Sequence, residues 1–158
     1  MIGVPVNVLR DGEMTKIYLS TRRSGEVGQA MLDLKRNLRS LDLKRAKLYK
    51  AFAIITKKVD DLVDDSADAK IDDAALAELS ADHDKRMKQL TDLDQEYNDL
   101  AYKLVELAVH DNHGDDAQAI MDNLTTKQIN QCVNIIETGD VPKDFFPQSV
   151  IRQNESST

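Results

Sequence analysis

Several things are scarce in this chain of 158 residues, and each scarcity excludes something. Aromatic side chains make up 4% and tryptophan is absent, so stacked platforms for nucleic-acid bases and a broad aromatic core are not expected. Cys132 is the lone cysteine; an internal disulfide and a thiolate zinc cage are both excluded, and a reducing compartment is expected. The prolines are Pro5, Pro142 and Pro147, so no proline breaks a helix between them. No apolar run approaches the roughly 18 residues that span a bilayer, and the chain does not start with a charged region followed by an apolar one. The expectation is a cytoplasmic protein with no membrane segment.

What is present is a long helical pattern. Val27, Met31, Leu34, Leu38, Leu41, Arg45, Leu48, Phe52, Ile55, Val59 and Leu62 follow one another in steps of three and four. After a polar stretch the pattern resumes at Leu76, Leu79, His83, Arg86, Leu90, Leu93, Tyr97, Leu100, Leu104 and Leu107. Such heptad registers keep one apolar seam on one side of each helix. Each run would be roughly 50 to 60 Å long at about 1.5 Å per residue. The short linker between them makes the two helices antiparallel neighbours. Placing Leu62 beside Leu76 then predicts Val59 beside Leu79, Ile55 beside His83, Leu48 beside Leu90, Leu41 beside Tyr97, Leu34 beside Leu104 and Met31 beside Leu107.

The flanks differ from this centre. Val4, Val6 and Val8 alternate with Pro5, Asn7 and Leu9, and Thr15, Ile17 and Leu19 alternate with Lys16, Tyr18 and Ser20. Asp11-Gly12 between the two runs marks a β-hairpin. Thr21 or Ser24 is the expected cap of the first long helix, and Asp72 or Asp73 of the second. A short helix over 116–123 carries Ala119, Ile120 and Met121 on one side. The spacing of Thr125 and Gln128 matches a capping box, and Ile129, Cys132, Val133 and Ile136 form one apolar face before Gly139. The predicted fold is therefore mainly α, a long antiparallel coiled-coil-like helical hairpin with a short N-terminal β-hairpin and a small C-terminal helical piece. Its parts are residues 1–20 (β-hairpin), 24–110 (helical hairpin), 115–147 (short helices and a Phe-Phe segment) and 148–158 (a mobile tail).

Charge is unevenly distributed. Through Lys58 there are 13 basic and 5 acidic side chains, and beyond it 8 and 23, within a net charge of −7. Complementary packing of two helices or of successive copies is one reading, and nucleic-acid binding by the basic face another. The acidic remainder and the lack of interleaved aromatics make nucleic acid the weaker one. Each predicted seam holds an arginine, Arg45 and Arg86, that either snorkels to water or fixes register and meets an acidic partner. His83 reads as a packed histidine. Val141 precedes Pro142, and Phe145 and Phe146 lie side by side between Pro142 and Pro147; this segment either covers the end of the core or anchors a partner. His110, His113, Asp115 and Asp116 have metal-ligand types, but they straddle a glycine in a polar turn, where Asn, Asp and Gly serve turn chemistry alone. Gly25-x-x-Gly28 lacks the lysine and hydroxyl of a phosphate loop. Cys132, on an apolar face, reads as a small buried hydrophobe. Neither a metal, a cofactor nor a catalytic set is expected, and an enzyme is not.

The order of parts resembles the small tail assembly chaperones of long-tailed bacteriophages. The stretches that carry the resemblance are the Val4–Leu19 hairpin, Leu100-Ala101-Tyr102-Lys103-Leu104-Val105-Glu106-Leu107-Ala108-Val109, and the segment from Leu124 to Glu137. The resemblance implies a protein that binds the tape measure protein and recruits tail tube subunits during tail growth, that self-associates, and that works in the cytoplasm of a bacterial host. A coiled-coil adaptor or scaffold that fixes oligomer geometry is the alternative.

Overall fold

The computed structural model describes residues 3–21, 23–65, 72–143 and 145. Phe146 and the tail expected from residue 148 lie outside the described residues. The element order is β1 (Val4–Arg10), β2 (Glu13–Leu19), α1 (Gly25–Asp65), α2 (Asp73–His113), a 3-10 turn (Gly114–Asp116), α3 (Ala117–Asp122) and α4 (Thr126–Thr138). The chain divides into two compact units. One comprises residues 1–36 and 98–158, the other residues 37–97. The mainly α architecture with an N-terminal β-hairpin is as the periodicity predicts.

The first unit is built around the β-hairpin. Asp11 and Gly12 both have positive φ, 52° and 81°, as a type I′ turn demands, and that turn sets Arg10 opposite Glu13. Register then runs back to Val4 opposite Leu19. Because side chains alternate along a strand, Val6, Val8, Ile17 and Leu19 share the inner face, each exposed by 3% or less. Pro5, Asn7, Leu9, Met14 and Lys16 are exposed on the other. A lone ribbon is marginal in water, and here its inner face belongs to a core with Leu104, Val105, Ala108 and Val109 of α2, Ile120 and Met121 of α3, and Ile135 and Ile136 of α4.

Local chemistry sets the helix ends of this unit. Thr125 accepts from the Gln128 N–H, and the Gln128 side chain accepts from the Thr125 N–H, so the expected capping box is present. Gly139, at φ 79°, closes α4. In α3 the buried residues are Ala117, Ile120 and Met121, while Ala119, expected on that side, is half-buried. The two glycines that opened α1 have a backbone reason. Gly25 takes φ 74°, and a Cβ on Gly28 would sit 2.0 Å from the Arg23 carbonyl oxygen.

The second unit is the zippered helical hairpin, residues 37–97. Leu38, Leu41, Leu48 and Ile55 of α1 are buried, and the remaining seam positions Arg45, Phe52, Val59 and Leu62 are half-buried. The antiparallel register appears in three contacts. Phe52 meets His83 edge to face at 5.3 Å, Arg45 reaches Asp94 at 3.1 Å, and the Arg45 guanidinium lies 4.1 Å from the centre of the Tyr97 ring. Nearer the linker, Ile55 and Val59 share a groove with Leu76, Leu79 and His83. Rising numbers on α1 thus meet falling numbers on α2, within a turn of the predicted pairing. Asp72 caps α2 by accepting from the Ala75 N–H at 3.1 Å. Among the described residues, no helix is long and apolar enough to cross a membrane.

Candidate functional site

The polar turn at the end of α2, a candidate for metal chemistry by residue type alone, has another occupation. Asp111 accepts a short hydrogen bond from the Ser20 hydroxyl, 2.5 Å, and an ion pair from Arg23, 2.7 Å. Asn112 donates to Ser20 Oγ at 3.0 Å and to the Tyr18 carbonyl at 3.3 Å. His113 Nε2 accepts from the Tyr18 N–H at 3.0 Å, and the Ser20 N–H donates to the Ala108 carbonyl at 3.2 Å. These residues satisfy backbone groups of β2 that its strand partner does not reach, closing that edge. Burial holds the His113 pKa below the ordinary histidine value; Asp116 opposes that shift and Arg10 adds to it. Ser20 is 2% exposed, so its hydroxyl is sealed from any substrate. Among the described residues no three His, Cys, Asp or Glu side chains converge as metal ligands would. The arrangement is a fastener. Cys132 is buried too, and burial pushes its thiol up to about 12, which leaves no thiolate at neutral pH.

The predicted partner-binding residues fall in different places. Phe145 is 3% exposed; its N–H donates to the Pro142 carbonyl at 3.2 Å and its carbonyl accepts from Gln128 at 3.4 Å. It serves the core, the first of the two roles open to that segment. Val141 is exposed by 44%, and Phe146 lies outside the described residues. Arg45 stacks on Tyr97 and bonds Asp42 and Asp94. Burial, the largest single influence, works against its charge, but the hydrogen bonds and the negative charges of Asp42 and Asp94 together outweigh it and hold its pKa above the ordinary guanidinium value. Arg86 pairs with Asp82 one turn away on the same helix, 3.0 Å. Neither seam arginine is simply a stem with its head in water. Arg45 and Arg86 belong to the helical hairpin and Phe145 to the other unit.

One surface escaped the sequence reading. In the helical hairpin, Leu43, Tyr49 and Ile54 are exposed by 67%, 58% and 56%. None is a seam residue. The signal was available as apolar residues lying between basic ones at off-seam positions, but the seam pattern dominates the same stretch. Comparison with family models, with curated proteins and with solved structures finds no match to the chain.

Proposed function

We propose that this chain is a non-enzymatic assembly chaperone of the long-tailed phage type, which binds a tape measure protein and tail tube subunits while a tail grows. The observation that carries this reading is the outward face of α1. The hairpin uses its seam internally, yet keeps large apolar side chains in water at Leu43, Tyr49 and Ile54. Leu43 and Ile54 share the side of α1 away from the seam, with Tyr49 on its flank, and exposed apolar side chains that the seam does not use are candidates for an interaction surface. A protein that masks sticky helical segments until assembly needs such a face and needs no catalytic group. The order of parts, strands, long helices and short capped helices, supports the same reading.

A second reading, a coiled-coil spacer, is favoured by one feature. Arg45, tied at once to Asp42, Asp94 and Tyr97, fixes the register of the hairpin, as polar seam residues do in rigid coiled coils. Size-exclusion chromatography with and without a candidate tape measure protein separates the two. The chaperone forms a complex that elutes earlier and can be displaced by tail tube subunits. A fixed oligomer that ignores the tape measure protein would make the chain a spacer.

A further inference from the structure

In the unit spanning residues 37–97, the three most exposed large hydrophobic side chains of the described residues, Leu43, Tyr49 and Ile54, lie on one helix. At about 100° per residue, Leu43, Ala46, Lys50, Ala53, Ile54 and Lys57 fall on the side of α1 away from the seam, while Tyr49 falls on the flank between that side and the seam. Arg39, Lys50 and Lys57 are exposed along the middle of this side, and Lys47 at its edge, beside the groove it lines with Asp92 and Glu96. Asp42 is the one acidic residue of α1 between Asn37 and Val59, and Arg45 engages it at 2.6 Å. The result is a strip, a basic line of Arg39, Lys50 and Lys57 down the middle of this side with Leu43 and Ile54 together along one edge of it, that runs from residue 39 to residue 57, about 27 Å at 1.5 Å per residue.

We propose that this face docks an acidic amphipathic helix of a partner protein, about five turns long, with its apolar side on Leu43 and Ile54 and its carboxylates over the lysines. The inference rests on the reading of the chain as a binder of helical clients and names the chemistry of the client. A helix fits because the strip is straight and narrow, and a third helix laid alongside would bury it by the same packing that joins the first two. An acidic border on the partner follows from charge complementarity. A second copy of this chain fits less well. Its exposed Asp84 and Asp92 on α2 are interspersed with exposed Lys85 and Lys88. Asp92 and Glu96 already line a groove with Lys44 and Lys47, and Asp94 holds Arg45. Nucleic acid would meet a chain of net charge −7 with one aromatic side chain on the face.

The test uses the full chain and a synthetic helical peptide of about 20 residues, five to six turns, with leucine and alanine on one side and glutamate along the side next to it. Binding is read by fluorescence anisotropy at low and moderate salt. Wild type should bind with a micromolar dissociation constant that weakens with salt. Both K47E/K50E/K57E and L43S/I54S should weaken binding tenfold or more, with helicity and melting preserved. The triple glutamate variant should instead accept a peptide with lysine in place of glutamate that wild type rejects. Equal binding of the acidic peptide by wild type and the triple variant would overturn the proposal. So would tighter binding to phosphatidylserine vesicles or to duplex DNA, or a dimer that L43S/I54S dissociates, which would give the face to a second copy. If the acidic peptide binds at this face but no tape measure protein does, the chaperone reading falls and the face stands; the reverse result removes the face and leaves the chaperone.

Discussion

The two units bury their apolar side chains by different means. In the unit built on the β-hairpin, Leu19, Leu104, Val105, Ala108, Cys132 and Ile135 are fully buried, because strands and helices enclose each of them from several directions. In the helical hairpin two helices meet along one line. Leu38 and Leu41 approach full burial, but Leu79, Leu90 and Leu93 on the facing helix remain half-exposed. Enclosure yields a core in which single contacts are worth a lot. A two-helix zipper spreads a smaller gain over many layers and leaves its flanks open, which is what a docking surface requires.

The sharpest way to break that comparison is one substitution made in each unit. Leu104→Ala removes a fully buried side chain and should cost about 3 kcal/mol, while Leu93→Ala, in the half-open seam, should cost about 1 kcal/mol. Urea titrations of both variants measure the difference, and equal losses would mean that the zipper is as enclosed as the core. Asp111→Ala comes next, at about 2 kcal/mol, because it strips the acceptor from buried Ser20 and the partner from Arg23. Amide exchange should quicken at Tyr18 and Ser20 and stay unchanged between Leu41 and Leu48. Faster exchange throughout the helical hairpin would show that the fastener supports more than its own unit.

The same contrast governs what was legible in the sequence. Heptad spacing is a long repeated signal, and it placed Phe52 and His83, and Arg45 and Tyr97, within a turn of their observed neighbours. Asp11-Gly12 and the pair Thr125 and Gln128 are local chemistry with one structural meaning, so turn and cap were readable from a few residues. The fastener was not readable. Asp111 and Ser20 are 91 positions apart, and nothing local shows that the end of α2 will close the edge of β2. The exposed strip at Leu43 and Ile54 was hidden for a different reason, since a helix that shows one strong apolar seam masks a second, weaker one on its far side.

Arg45→Met sharpens the comparison within the helical hairpin. It removes the bonds to Asp42 and Asp94 but fills the seam with an apolar side chain, and both carboxylates are about half-exposed and can be hydrated. Stability should therefore move by less than about 1 kcal/mol. Register should loosen instead. Spin labels at Lys50 and Lys88, which lie at one level of the predicted layers on the outer sides of the two helices, should give a narrow distance distribution in wild type and a broader one in the variant. An unchanged distribution would mean that apolar layers alone set the pairing.

The smallest expected effect is on pH dependence, and it belongs to the other unit. His113 Nε2 accepts the Tyr18 N–H and can do so only unprotonated. Its folded pKa is lowered, chiefly by burial, with Asp116 opposing and Arg10 assisting. The unfolded chain, with an ordinary histidine near about 6.5, takes up the proton first as pH falls. The contribution of His113 is thus present above that value and is lost as pH drops through the lowered folded value. Between pH 7.5 and 5.5, protection of the Tyr18 amide should decline, while amides from Leu41 to Leu48 should hold. His113→Gln keeps an acceptor without a titrating ring, so it should flatten the Tyr18 response and leave the zipper as it was. If the variant keeps the wild-type slope, the proton enters elsewhere, and the edge of β2 is fastened by Asn112 and Ala108 without help from the ring.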